Sequence, residues 1–239
     1  MRRAVYGAVV VWNLLLSFGA GAQTISDGDF SSGWSSFLLT VTTPLPASDP
    51  SAMFVSTVIG SGGNPGGYLD TVQGYAGPNM GIHVAHMDAN GTIDPAALGG
   101  LDGLTFSFDV NFFDYPGSPP APSFAVGYRP LVEQGGVFFA GPTVVAVSPS
   151  WMSFVEPTAA ASDFVSFNGT SAPDFSASGG LITVGFETWN GTGGPVWTST
   201  HSGLDNFSVI VAPVPEPSGL IVLAGVAMLL TLRRWVFTG

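Results

Sequence analysis

LTFSFDVNF, residues 104–112, alternates without a break: Leu104, Phe106, Phe108, Val110 and Phe112 take every second place, and Thr105, Ser107, Asp109 and Asn111 fill the places between. Successive side chains of an extended chain point to opposite faces, so this is a strand with one buried and one wet face. A helix would scatter the same residues around its circumference. Similar patterns recur over 37–43, 53–59, 124–128, 143–147, 182–188 and 207–211. Turn signals fall between them, at the GGNPGG of 62–67 and at Asn90-Gly91, Pro116-Gly117, Asn168-Gly169 and Asn190-Gly191. Many one-faced strands and no long helical stretch before the carboxyl-terminal tail predict two antiparallel sheets packed as a β-sandwich, with a closed barrel as the alternative. The Pro- and Ser-rich segment 114–123 reads as a surface loop, because strands continue on both sides.

The composition agrees. Of 239 residues 46% are apolar, enough for one sizeable core, and 33 glycines and 19 prolines suit a turn-rich β-protein. There is no cysteine, which excludes disulfides, thiolate metal sites and sulfur redox chemistry. There is no lysine either: Arg2 and Arg3 open the chain, Arg233 and Arg234 close it, and Arg129 stands alone between. Between residues 23 and 212 fifteen carboxylates face that one cation, a formal charge of −14. Such a surface repels phosphate backbones, so nucleic acid is excluded as a partner.

Both ends read as addresses. Met1-Arg2-Arg3 is a short positive region, residues 4–18 are apolar apart from little more than Asn13, and Ala20-Gly21-Ala22 is the pattern that signal peptidase accepts. Cleavage is expected between Ala22 and Gln23, making 1–22 a signal peptide and 23–212 the exported body. At the other end, residues 219–232 carry no charge and are stopped by Arg233 and Arg234. As a helix they reach about 21 Å, against about 30 Å of hydrocarbon, and prolines at 213, 215 and 217 deny an upstream extension. Arginines stay cytoplasmic, which leaves the body outside.

Proline-flanked acid, short transmembrane helix and terminal arginines, in that order over 213–239, closely resemble the PEP-CTERM sorting tail of exported bacterial proteins. The resemblance implies a transient inner-membrane tether that an exosortase-type enzyme processes near Pro215, Glu216 and Pro217, with Arg233 and Arg234 as the stop. It also implies delivery to the cell surface or to an extracellular, exopolysaccharide-associated matrix. The body opens with ISDGDFSSGW (25–34) and closes with GLDNFSV (203–209), a pairing that resembles the first and last strands of galactose-binding-like and carbohydrate-binding jelly rolls. The loop at 62–68 is similar to one in laminin-B-like surface modules. In such jelly rolls a calcium ion often joins the first and last strands; Asp29 and Asp205 are the matching positions, with Asp27 adjacent.

Chemistry is sparse. His83 and His86 form an H-x-x-H pair beside Asp88, yet positions three apart on a strand face opposite ways, so they read as ordinary surface or edge histidines. The 88–94 segment has an EF-hand flavour, but His86 and Ala97 stand where two ligand oxygens belong and Pro95 blocks the exiting helix, leaving a plain Asn-Gly turn. No G-x-S-x-G, H-E-x-x-H or P-loop occurs. Acidic pairs such as Asp109 with Asp114, or Glu187 with Asp205, read as solvated carboxylates and not as a glycosidase pair. Aromatic side chains in or beside loops remain, and sugar rings stack on flat side chains. Trp189, Trp197 and Tyr68 are the candidate glycan contacts, with Tyr75 and Trp151 beside them. The expectation is a non-enzymatic surface or matrix protein with an adhesive or structural role. The alternatives are a carbohydrate-binding module and, more remotely, an envelope hydrolase or an ice-binding protein.

Overall fold

The computed structural model describes residues 22–31, 33–39, 52–75, 80–113, 126–146, 149–167, 171–192 and 198–214. Residues 1–21, the sorting motif from Pro215 on, the segment 219–232, the 114–123 loop and Trp197 lie outside the described residues, so the readings placed on them stay expectations. Among the described residues no helix is long and apolar enough to cross a membrane.

Residues 22–213 form one compact unit, an antiparallel two-sheet β-sandwich. The first sheet runs β10 (Met152–Val155), β6 (Leu101–Phe113), β13 (Thr198–Pro213), β4 (Gly66–Tyr75), β3 (Met53–Gly63). Its long strand β13 also receives β1 (Gln23–Asp27), with Gln23 opposite Val211. The second sheet runs β11 (Val165–Ser166), β8 (Val137–Ala140), β7 (Val126–Gln134), β12 (Ile182–Thr192), β5 (Met80–Ile93), β2 (Trp34–Leu38), and β9 (Val144–Ala146) pairs with β7. One 3-10 turn, Ala161–Asp163, is the helical element among the described residues.

The alternation in 104–112 does what period two demands. Leu104, Phe106, Phe108 and Val110 point inward and are at most 1% exposed, meeting Tyr128, Val184 and Phe186 from the second sheet in one core with Phe207 and Val209. Burying a side chain such as Phe106 stabilises the fold by about 2–3 kcal/mol. On the other face the wet reading fails for two residues, because Asp109 and Asn111 are also buried. The tip of the β3–β4 hairpin folds over Asp109, and Asn64 Nδ2 donates to Asp109 Oδ2 at 3.2 Å.

Two turn readings are corrected as well. Asn90-Gly91 does not reverse the chain: it lies inside β5, where the pairing with β12 jumps between Thr183 opposite Thr92 and Gly185 opposite Met87. The extra residues bulge out, and Asp88 Oδ1 takes the Asn90 amide at 2.9 Å, which supplies the bond that the ladder omits. Asn190-Gly191 continues β12, paired to Ile82 and Gly81. Asn-Gly favours a turn locally, but the pairing of β12 with β5 on either side of each step outweighs that preference.

Candidate functional site

The second sheet is strongly curved. Phe37 on β2 and Phe138 on β8 are separated by three strands, about 19 Å on a flat sheet, yet their rings lie 5.5 Å apart. The edges therefore curl toward each other over the outer face, which becomes a trough that the two rings cover at this point. Its floor holds Ala85, Met87 and Leu131, with Leu39, Ala140 and Phe167 packed along it.

At one end of this trough stands a charged cluster. Register places Glu187 of β12 directly across from Arg129 of β7, and Trp189 across from both His83 of β5 and Gly127 of β7. Arg129 holds Glu187 side-on, with Nε 2.7 Å from Oε2 and Nη2 3.0 Å from Oε1. His83 Nδ1 lies 2.5 Å from the same Oε1, and because a carboxylate only accepts, the ring donates there. Neither His83 nor Glu187 is exposed at all, and Arg129 is 6% exposed. Charges so deeply placed persist only when paired, and removing one partner costs about 3–5 kcal/mol.

The half-buried indole of Trp189 completes the cluster. It lies nearly parallel to the His83 ring, 7° between planes and 6.1 Å between centroids, and the Arg129 guanidinium sits 5.3 Å from its centre. Arg129 is also 5.7 Å from the Phe167 ring. Gly127 makes room for this: a Cβ there would stand 2.0 Å from the indole nitrogen, so only glycine lets the ring lie over β7. Trp189 Nε1 and His83 Nε2 are buried without a hydrogen-bond partner among the described residues.

Of the candidate glycan contacts, Trp189 thus belongs to this cluster, whereas Tyr68 lies on the outer face of the first sheet. There Tyr68, Phe113 and Trp151 pack around one another with centroids 5.4–6.1 Å apart. The surface and edge reading of the histidines is corrected, since His83 and His86 are both fully buried, although they do face opposite ways. His86 points into the sandwich, stacked on Phe186 at 4.6 Å and bonded to Ser36 and Thr188, and burial pushes its ring down to about 3. Glu187 and Asp205 are not solvated, and they sit on different sheets.

The carboxylates named in the calcium reading accept hydrogen bonds from neighbouring protein groups. Asp205 takes the amides of Asn64 and Asn206, and burial raises its carboxyl above the ordinary range. Asp29 Oδ1 takes the Ser31 amide, and hydrogen bonds from Ser31 lower its carboxyl. Asp27 takes the amides of Asp29 and Phe30 and the indole of Trp34. Among the described residues no group of three or more His, Asp or Glu is suited to hold a metal ion.

At this end of the trough the partly exposed Trp189 indole is a flat aromatic surface, backed by a buried and mutually paired His83, Arg129 and Glu187. Among the described residues the trough holds no second carboxylate at glycosidase spacing from Glu187. Glu133 of β7 lies four register places from Glu187, which stands across from Arg129, about 13 Å along the strands, beyond the roughly 5–9.5 Å that such pairs span. Reading the sequence did not select His83, Arg129 or Phe167. One signal was present: the body's single cation stands in the middle of an apolar run, where only a buried acid can hold it.

No protein-family model matches the chain, and no curated protein matches it. Among solved structures the chain is similar to a xylan-binding domain from CBM 22, with TM-score 0.42 and 11% identity over 79% of this chain and 94% of that one. It is also similar to TmCBM27, a carbohydrate-binding module described for specific mannan recognition, with TM-score 0.41 and 13% identity over 80% of this chain and 99% of that one. A third likeness is to the family 30 carbohydrate-binding module of a Clostridium thermocellum cellulosomal cellulase, with TM-score 0.44 and 8% identity over 78% of this chain and 96% of that one.

Proposed function

We propose that this protein is an exported, non-catalytic glycan-binding protein of the cell envelope or extracellular matrix, and that the trough on the second sheet holds a neutral polysaccharide. The observation that carries the reading is the partly exposed Trp189 indole, fixed by His83, Arg129 and Gly127 beside an ion-paired Glu187. A sugar ring stacks on the exposed part of the indole, which the buried His83, Arg129 and Glu187 hold in place from beneath. Rigid placement matters here, because a platform that does not reorder on binding saves the entropy of fixing it. The charge of the body disfavours acidic polymers, so the ligand is a neutral chain.

The position of the cluster suits delivery by the tail. Trp189 lies toward the end of the sandwich where Gln73 meets Thr188, whereas β1 and β13 bring residues 23 and 211 together at the opposite end. Signal peptidase and an exosortase-type enzyme would process the ends, with recognition at Pro215, Glu216 and Pro217. Intact-mass analysis of surface-extracted protein is expected to give a chain starting at Gln23 and ending near Pro215, whereas a retained full-length span would contradict that processing.

Native gels cast with xylan, mannan or β-glucan test the binding. The full body is expected to be retarded in at least one of them, and Trp189→Ala to lose about two- to tenfold in affinity, since one stacked ring contributes about 0.5–1.5 kcal/mol. Equal mobility of wild type and variant in every gel would refute the reading.

A further inference from the structure

We infer that the protein carries a second glycan-binding surface on the outer face of the first sheet and is therefore bivalent, a cross-linker of the polymer it binds. The inference rests on the glycan reading of the trough and adds to it a second site with its own residues. Three rings, Tyr68 of β4, Phe113 of β6 and Trp151 just before β10, converge over Gly203 of β13. A Cβ at Gly203 would lie 2.9 Å from both Tyr68 and Phe113 and 3.0 Å from Trp151, so the glycine lets all three approach the sheet. The rings are half-buried and keep part of their surface in solvent.

Polar groups border them as they border Trp189. His201 Nε2 meets Asp70 Oδ1 at 2.6 Å, with side chains 26% and 17% exposed, and the His201 ring packs 4.8 Å from Phe113. Trp151 Nε1 donates to the Gly62 carbonyl at 3.1 Å, which fixes the indole against the β3–β4 hairpin. Asn111, directly opposite Gly203, is 5% exposed, and its Oδ1 has no hydrogen-bond partner among the described residues. An unpaired buried acceptor is costly unless a donor reaches it, and a sugar hydroxyl is such a donor.

The two clusters lie on opposite outer faces of one rigid sandwich. With sheets about 10 Å apart and a side-chain layer on each side, they stand on the order of 20 Å from each other. That is too far for one sugar ring and ample for two separate chains. Linking two sites in one body raises avidity for a polymer by about 10²–10⁴ without a new contact.

The test uses the full exported body, the polysaccharide gels described above, and light scattering on mixing with the polysaccharide that retards it most. Trp151→Ala and, separately, Tyr68→Ala are expected to keep retardation in part while scattering from cross-linked polymer disappears. Trp189→Ala is expected to do the same from the other side, and Trp189→Ala with Trp151→Ala to abolish both signals. Retention of full scattering by both folded first-sheet variants, judged by unchanged circular dichroism, would overturn the second site while leaving the trough standing. Loss of all retardation in Trp189→Ala alone would do likewise. Absence of retardation for wild type in every gel would remove both readings together.

Discussion

At the scale of single residues, burial has turned ordinary side chains into conditional ones. His86 is wholly enclosed between Ser36, Thr188 and Phe186, and burial holds its ring at about 3, well below the 6.5 of an unfolded chain. Between those values the unfolded state binds a proton that the native state refuses, so stability falls as pH drops from 6.5 toward 3. Each pH unit in that window costs about tenfold in the folding equilibrium constant. Asp88 and Asp205 act in the opposite sense nearer pH 4, because burial raises their carboxyls and favours protons in the native state. Denaturant midpoints measured at pH 7 and pH 5 are expected to separate for wild type and to close up in His86→Leu, and an equal shift in both proteins would refute the assignment. Such a histidine was not legible from spacing, which told only that it faces away from His83; its depth depends on which sheet covers it.

At the scale of elements, one short turn decides how the first two strands part company between the sheets. Asp27 closes it: one carboxylate oxygen takes the amides of Asp29 and Phe30 at 3.1 and 2.8 Å, and the other takes the Trp34 indole nitrogen at 2.9 Å. This holds Phe30 in a left-handed conformation, φ 53°, with its ring against Trp34 and Phe186. Asp27→Ala is expected to lower unfolding free energy by about 2–4 kcal/mol, since two or three bonds go and a partly buried indole nitrogen is left bare. A thermal melt unchanged within a degree would contradict this account of the turn. The strands with clean alternation, such as β6, were legible because one face meets a core and the other does not. The strands β4 and β5 were not: β4 carries Thr71 and Gln73 inward, and β5 is buried on both faces with a bulge at its Asn-Gly step. Polar residues facing a core, and apolar residues facing a covered outer surface, erase the period that marks a strand.

At the scale of the whole molecule, the fold class followed from pattern, but the site did not, because it is assembled by curvature. Trp189 could be picked out as an aromatic side chain beside a loop, whereas the grouping of His83, Arg129 and Glu187 around it requires β5, β7 and β12 to lie side by side, and nothing in local sequence states that order. The body is a sandwich whose site gathers three strands of the second sheet, with Arg129, the single cation between residues 23 and 212, buried inside it. The most direct measurement is an NMR titration of the tryptophan indole N–H signals with the polysaccharide that retards the protein, cut to soluble oligosaccharides. The account predicts that the Trp189 signal shifts saturably while that of Trp34, enclosed between Asp27 and Phe207, stays in place. An unmoved Trp189 signal at concentrations where the oligosaccharide is demonstrably bound would contradict it.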